Sequence, residues 1–124
     1  MSTQDKSDPH GMVLVIEDNA LFADVVVNML DELGFSARVV KNVEDGLLII
    51  DGESIKFIVS DVELPGLMSG LALARDLRRN RPELPVILMT GNAGKAAEAE
   101  RDFILLEKPF GSANLRIAIE TVFQ

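Results

Sequence analysis

Phe57-Ile58-Val59-Ser60-Asp61, running into Val62-Glu63-Leu64-Pro65-Gly66, is the stretch on which the reading of the fold turns. A short apolar run that stops on a carboxylate and is followed by a Pro-Gly turn has the pattern of a strand buried on both faces, with Asp61 at its carboxyl end. In an open parallel sheet, ligands bind in the crevice outside that end of the strands. Asp61 is therefore a candidate reacting group, although an Asp after an apolar run also serves as a plain turn or helix cap. The other strands have to decide between the two.

Working outward, Met12-Val13-Leu14-Val15-Ile16 is a second run of the same kind, ending on Glu17-Asp18. Asn19 is placed to cap a helix in which Phe22, Val25, Val26, Met29, Leu30 and Leu33 recur at spacings of three and four before Gly34. A strand over residues 36–40 follows, and Asn42 can cap a helix over residues 43–50 that ends near Asp51-Gly52. Beyond the central strand, Leu71, Leu73, Ala74 and Leu77 mark a helix that ends before Pro82, and Val86-Ile87-Leu88-Met89 leads a fourth strand to Thr90. Residues 91–102 predict only a short helix around 95–101. Phe103-Ile104-Leu105-Leu106 is the fifth strand, ending on Glu107-Lys108-Pro109, and Ser112 is expected to cap a last helix with Leu115, Ile119, Val122 and Phe123 on its inner face. Short apolar strands alternating with amphipathic helices require right-handed crossovers, hence a parallel sheet covered on both faces. The predicted fold class is α/β, flavodoxin-like and doubly wound, with five parallel strands in the order 2-1-3-4-5 and a switch point between strands one and three.

The whole chain sets the outer limits. Its 124 residues, 48% of them hydrophobic, suit one domain over residues 12–124 behind a polar, flexible lead-in at 1–11. The lone His10 lies in that lead-in, without neighbours to orient it as a base or ligand. A net charge of -8 with no Lys/Arg-rich run argues against direct contact with nucleic acid or an acidic membrane surface. No apolar run approaches membrane-spanning length, so no membrane insertion is expected. The absence of cysteine rules out a disulfide framework and thiolate metal ligands, and fits a cytoplasmic location.

The polar residues that matter occupy equivalent places. Glu17 and Asp18 end strand one, Asp61 ends strand three, Thr90 ends strand four and Lys108 ends strand five. The proposed strand order makes these ends converge. Carboxylates gathered at contact distance repel by about 4 kcal/mol per pair at an effective dielectric near 20, so something must offset them. Lys108 can neutralise one charge, and a hard divalent cation with oxygen ligands, Mg2+ above all, suits a site without His or Cys. The alternative is one protonated acid with a raised pKa and no metal. With Mg2+, an ammonium and a hydroxyl beside it, Asp61 is suited to phosphoryl chemistry. It would be the nucleophile that becomes an aspartyl phosphate, with Mg2+ and Lys108 balancing the equatorial oxygens and Thr90 donating a hydrogen bond to one. A carboxylate is already ionised at neutral pH and needs no general base.

In that order, Glu17-Asp18, Asp61 with Leu64-Pro65-Gly66, Thr90-Gly91 and Lys108-Pro109-Phe110 resemble the receiver domain of bacterial two-component response regulators, over residues 12–124. The resemblance implies that Asp61 takes phosphate from a phosphohistidine on a histidine kinase or histidine phosphotransfer protein. It also implies that Glu17, Asp18, Asp61 and the backbone carbonyl of Glu63 arrange Mg2+, and that the Lys108-Pro109 peptide is cis. Two further positions, Glu63 and Asn92, resemble those that tune the lifetime of the phosphate; the alternative is two solvated loop residues.

The chain also departs from the family pattern. Receivers commonly carry Tyr or Phe where this sequence has Leu105, which leaves Phe103 or the segment after Thr90 as candidates for the switching role. That segment is shorter than usual, and the turn from Leu64 to Gly70 looks one residue longer. Both features are similar to receivers attached to hybrid histidine kinases or standing alone. The expected function is a phosphoacceptor in a phosphorelay that signals by conformational change to a downstream protein target, not an enzyme beyond its own phosphotransfer and autodephosphorylation. A Mg2+-dependent phosphohydrolase with Asp61 as nucleophile competes with it, on a loose likeness of Asp61-Val62-Glu63 to the haloacid-dehalogenase motif. An adaptor that binds partners without being phosphorylated is the third reading. The partners compatible with this reading are the phosphodonor, the downstream protein target and a second copy of the chain as a homodimer.

Overall fold

The computed structural model describes residues 11–92, 94, 97, 99 and 101–124. Most of the expected lead-in, including His10, and most of the expected helix around 95–101 lie outside the described residues. The strands are β1 (Met12–Ile16), β2 (Ser36–Val40), β3 (Ile55–Asp61), β4 (Val86–Thr90) and β5 (Ile104–Glu107). They form one parallel sheet in the order β2-β1-β3-β4-β5. This is the flavodoxin-like topology, in which the order of strand addition reverses between β1 and β3 while every strand stays parallel.

Alternation along the strands divides the core in two. Leu14, Ile16, Ile58 and Leu88 face α2 (Val43–Gly52) and α3 (Gly70–Asn80), meeting Val43, Ile49, Ile50, Leu73, Ala74 and Leu77. Val13, Val15, Phe57, Val59, Ile87 and Met89 face the other way, onto Val26 and Leu30 of α1 (Ala20–Glu32) and Leu115, Ala118 and Ile119 of α4 (Ser112–Val122). Successive side chains of a strand point to opposite faces, so a sheet covered on both sides needs uninterrupted apolar runs. Among the described residues, no helix is long and apolar enough to cross a membrane.

Helix starts follow local chemistry. Asn19 Oδ1 accepts the Phe22 N–H at 2.9 Å, Asn42 Oδ1 accepts the Asp45 N–H at 2.8 Å, and Ser69 Oγ accepts the Ala72 N–H at 3.0 Å. The last helix differs from expectation. Gly111, not Ser112, is its cap, and its N–H donates to Asn114 Oδ1 at 3.0 Å, so the side chain of the first turn satisfies the backbone in place of a capping hydroxyl. Phe123 is not on the inner face of that helix; it lies just past its end, 47% exposed, edge-on to Phe57 at 5.8 Å. β5 starts at Ile104 rather than Phe103, because its pairing with β4 runs from Ile87–Ile104 to Thr90–Glu107. β3 begins at Ile55, two residues ahead of the sequence pattern, while α2 ends at Gly52 as the Asp51-Gly52 pair suggests.

Candidate phosphoacceptor site

Each candidate residue sits at the carboxyl edge of the sheet because its strand ends there. Glu17 directly follows β1, and its N–H is tied to the Val40 carbonyl of the neighbouring β2 at 3.0 Å. Asp61 is the last residue of β3, and the Val62 N–H after it donates to Met89 O at 2.8 Å. Thr90 is the last residue of β4, and its carbonyl accepts the Lys108 N–H at 2.8 Å. The Lys108–Pro109 peptide bond is cis. Residues separated by up to 91 positions thus share one edge.

Lys108 Nζ lies 2.5 Å from Glu17 Oε1 and 3.1 Å from Asp61 Oδ2. The Glu17 side chain is only 1% exposed, that of Asp61 14% and that of Lys108 19%. Asp18 is exposed at the rim, and one carboxylate oxygen from each of Glu17, Asp18 and Asp61 lies within 4.8 Å of the others. Burial pushes the Glu17 carboxyl above the usual range, against the pull of its hydrogen bonds from Lys108 and from the Asn19 N–H at 3.1 Å; the nearby Asp61 charge raises it further. For Lys108, burial acts to lower the pKa, but hydrogen bonds to Glu17 and Asp61 together with their charges outweigh it and raise it. The ammonium therefore stays charged at neutral pH. One ammonium against three carboxylates leaves an excess of negative charge. That donor set, all oxygen, partly open at Asp18 and carrying more negative charge than Lys108 can balance, fits a hard divalent cation such as Mg2+.

Thr90 is buried, and its hydroxyl is engaged with the chain just beyond it. Thr90 Oγ1 accepts the Asn92 N–H at 3.0 Å and lies 3.2 Å from Asn92 O. The Asn92 side chain in turn accepts the Gly94 N–H at 2.9 Å, while Glu63 is exposed just beyond Val62. Leu105, paired with Leu88 in the sheet, packs partly buried against the α2/α3 side of the core. The structure does not bring Phe103 to the site. It precedes β5 at the opposite edge of the sheet, under the Arg78 guanidinium at 4.3 Å.

Three contributors were not singled out in the sequence. Gly70 starts α3 directly behind Asp61; a Cβ there would overlap the Asp61 carbonyl oxygen and stand 2.7 Å from Ser60 Oγ. Glu44, at the start of α2, accepts the Leu67 N–H at 3.2 Å and holds down the turn around Gly66, whose φ is +105°. Phe22, on the first turn of α1, lies with its ring centroid 4.6 Å from Lys108 Nζ. Glu44 and Phe22 depend on contacts far along the chain, and for Gly70 the only local signal was the Gly content of the Leu64–Gly70 turn.

The sheet is doubly wound and parallel, and its strand ends gather three acids and a lysine. The sequence profile of the response regulator receiver domain matches residues 13–120, and the chain belongs to that family. It is 32% identical over 120 residues to the transcriptional regulatory protein FixJ of Bradyrhizobium diazoefficiens, covering 92% of this chain and 57% of FixJ. It is 28% identical to the chemotaxis protein CheY-3 of Vibrio cholerae, covering 90% of this chain and 91% of CheY-3. The chain thus spans little more than half of FixJ and about a quarter of NtrX, 26%. Among solved structures, a CheY-like receiver domain from Methylobacillus flagellatus superposes with a TM-score of 0.77 at 28% identity, covering 90% of this chain and 97% of that one. The receiver domain of the sensor histidine kinase PA1611 from Pseudomonas aeruginosa, solved with a magnesium ion in its active-site cleft, gives 0.76 at 25% identity, covering 90% and 95%.

Proposed function

We propose that this receiver domain takes a phosphoryl group onto Asp61 from the phosphohistidine of a histidine kinase or histidine phosphotransfer protein and passes the resulting change to a downstream protein. The observation that carries it is the bridge from Lys108 Nζ to both Glu17 and Asp61 inside the three-acid cluster. A carboxylate oxygen of Asp61 attacks phosphorus, the bond to the histidine nitrogen breaks, and its electron pair stays on that nitrogen, which takes a proton from solvent. Lys108 stands ready to shift from carboxylate to phosphoryl oxygen, and rotation about Thr90 χ1 frees its hydroxyl from Asn92 to donate to another. Glu17, Asp18, Asp61 and the Glu63 carbonyl would hold Mg2+, which when bound supplies charge neutralisation for the transferring group.

Autodephosphorylation follows from the same site, with Glu63 and Asn92 flanking the approach of water and setting the lifetime. Leu105, lacking a ring, leaves the readout to the backbone after Thr90. A chain without cysteine and with net charge -8 suits protein partners in the cytoplasm better than nucleic acid. The test is incubation with Mg2+ and acetyl phosphate followed by intact and peptide mass spectrometry. One acid-labile phosphoryl group on Asp61 is expected, absent in Asp61→Asn; stoichiometric label elsewhere, or label retained in that variant, would overturn the assignment.

A further inference from the structure

Phe22 belongs to α1, yet it reaches a charged group of the site from across the fold. Its N–H is fixed by Asn19 Oδ1 at 2.9 Å, and the Asn19 N–H donates to Glu17 Oε2 at 3.1 Å, so the backbone that carries the ring is tied to the buried acid. The ring meets Phe110 edge-on, centroids 5.6 Å apart at 81°, and Phe110 follows Lys108 by two residues. The Lys108 ammonium stands 4.6 Å from the Phe22 centroid. A cation at that distance from an aromatic face is attracted by the negative face of the ring, and more strongly where water is largely shut out, as it is around this one-fifth-exposed lysine.

We propose that Phe22 is a positioning residue for Lys108. Its ring holds the ammonium at the mouth of the pocket without using up a hydrogen-bond donor. Two of the three N–H groups of Lys108 are directed to Glu17 and Asp61. The third stays available for an incoming phosphoryl oxygen while the ring supplies the remaining attraction. An aliphatic side chain of similar size would fill the same space and leave the charge unsupported. The part of this inference that concerns phosphotransfer rests on the phosphoacceptor reading above; the part that concerns where the lysine sits does not.

The experiment compares Phe22→Leu and Phe22→Tyr with the unaltered protein, each also on a Lys108→Ala background. In the metal-free protein, NMR of the Lys108 ε-methylene protons should show an upfield ring-current shift that is lost in Phe22→Leu and kept in Phe22→Tyr. With Mg2+ and acetyl phosphate, Phe22→Leu should label about three- to tenfold more slowly, within the range a cation–π contact supports. Phe22→Tyr should recover most of that rate, and on the Lys108→Ala background the leucine substitution should cost nothing further. An unshifted methylene in the unaltered protein, or an equal loss of rate with and without Lys108, would overturn the proposal. Failure of the unaltered protein to take label would count against the phosphoacceptor reading alone, and the methylene shifts would still decide the placement of Lys108 by Phe22.

Discussion

The fold alters the chemistry of Glu17 by burying it. Its carboxyl is buried, and its pKa lies above the ordinary glutamate value of about 4.3. A group raised in the folded state contributes stability that is complete below the unfolded pKa and is lost as pH rises through the folded one. In metal-free protein, the stability of wild type relative to Glu17→Gln should therefore fall from about pH 4 towards neutrality. Paired thermal melts across that range test it; a difference that is flat, or that grows in favour of wild type, contradicts the sign. Lys108 is the complementary case. Lys108→Ala leaves Glu17 buried without its ammonium, and should cost roughly 1–3 kcal/mol in chemical denaturation besides slowing phosphotransfer. Unchanged stability with unchanged labelling would leave the lysine without either role.

At the scale of the element, the connection from β3 to α3 decides how Asp61 is presented. Ser69 caps α3, Glu44 pins Leu67 from α2, and Gly70 lets the helix start against the Asp61 backbone. Close packing there leaves no room for a methyl group, and the obstacle is backbone, which cannot step aside as a flexible side chain would. Gly70→Ala should destabilise the domain by about 1–3 kcal/mol and slow labelling of Asp61, since relief of the overlap must move either the helix or the phosphoacceptor. A denaturant midpoint and labelling rate both equal to wild type would show that the helix shifts freely. The cap of α4 carries a smaller lesson. Ser112 had the right chemistry for a cap, but Asn114 reached the Gly111 N–H first, and the two alternatives differ by one residue in where the helix starts.

At the scale of the molecule, the sheet order concentrates charge at one edge of a protein already at -8. A dication bound there should stabilise the folded state by mass action, because the unfolded chain offers no such cluster. Mg2+ in excess should raise the melting temperature by a few degrees, and Asp18→Asn should shrink that gain. Equal gains in both proteins would assign the effect to something other than the acid cluster.

Five strands alternating with amphipathic helices, and the placing of Glu17, Asp18, Asp61, Thr90 and Lys108 at strand ends, were legible in the chain before any coordinates. These are matters of local pattern: apolar runs, cap residues, and the points at which hydrophobicity stops. It took the packed fold to show that the Lys108 ammonium takes both Glu17 and Asp61, that Thr90 is turned to Asn92, that Phe103 sits at the far edge, and that Phe22, Glu44 and Gly70 adjoin the site. Most of these contacts join residues tens of positions apart, and even the short-range ones, Thr90 with Asn92 and Gly70 with Asp61, are set by how neighbouring strands and helices stack, which no local window of sequence records.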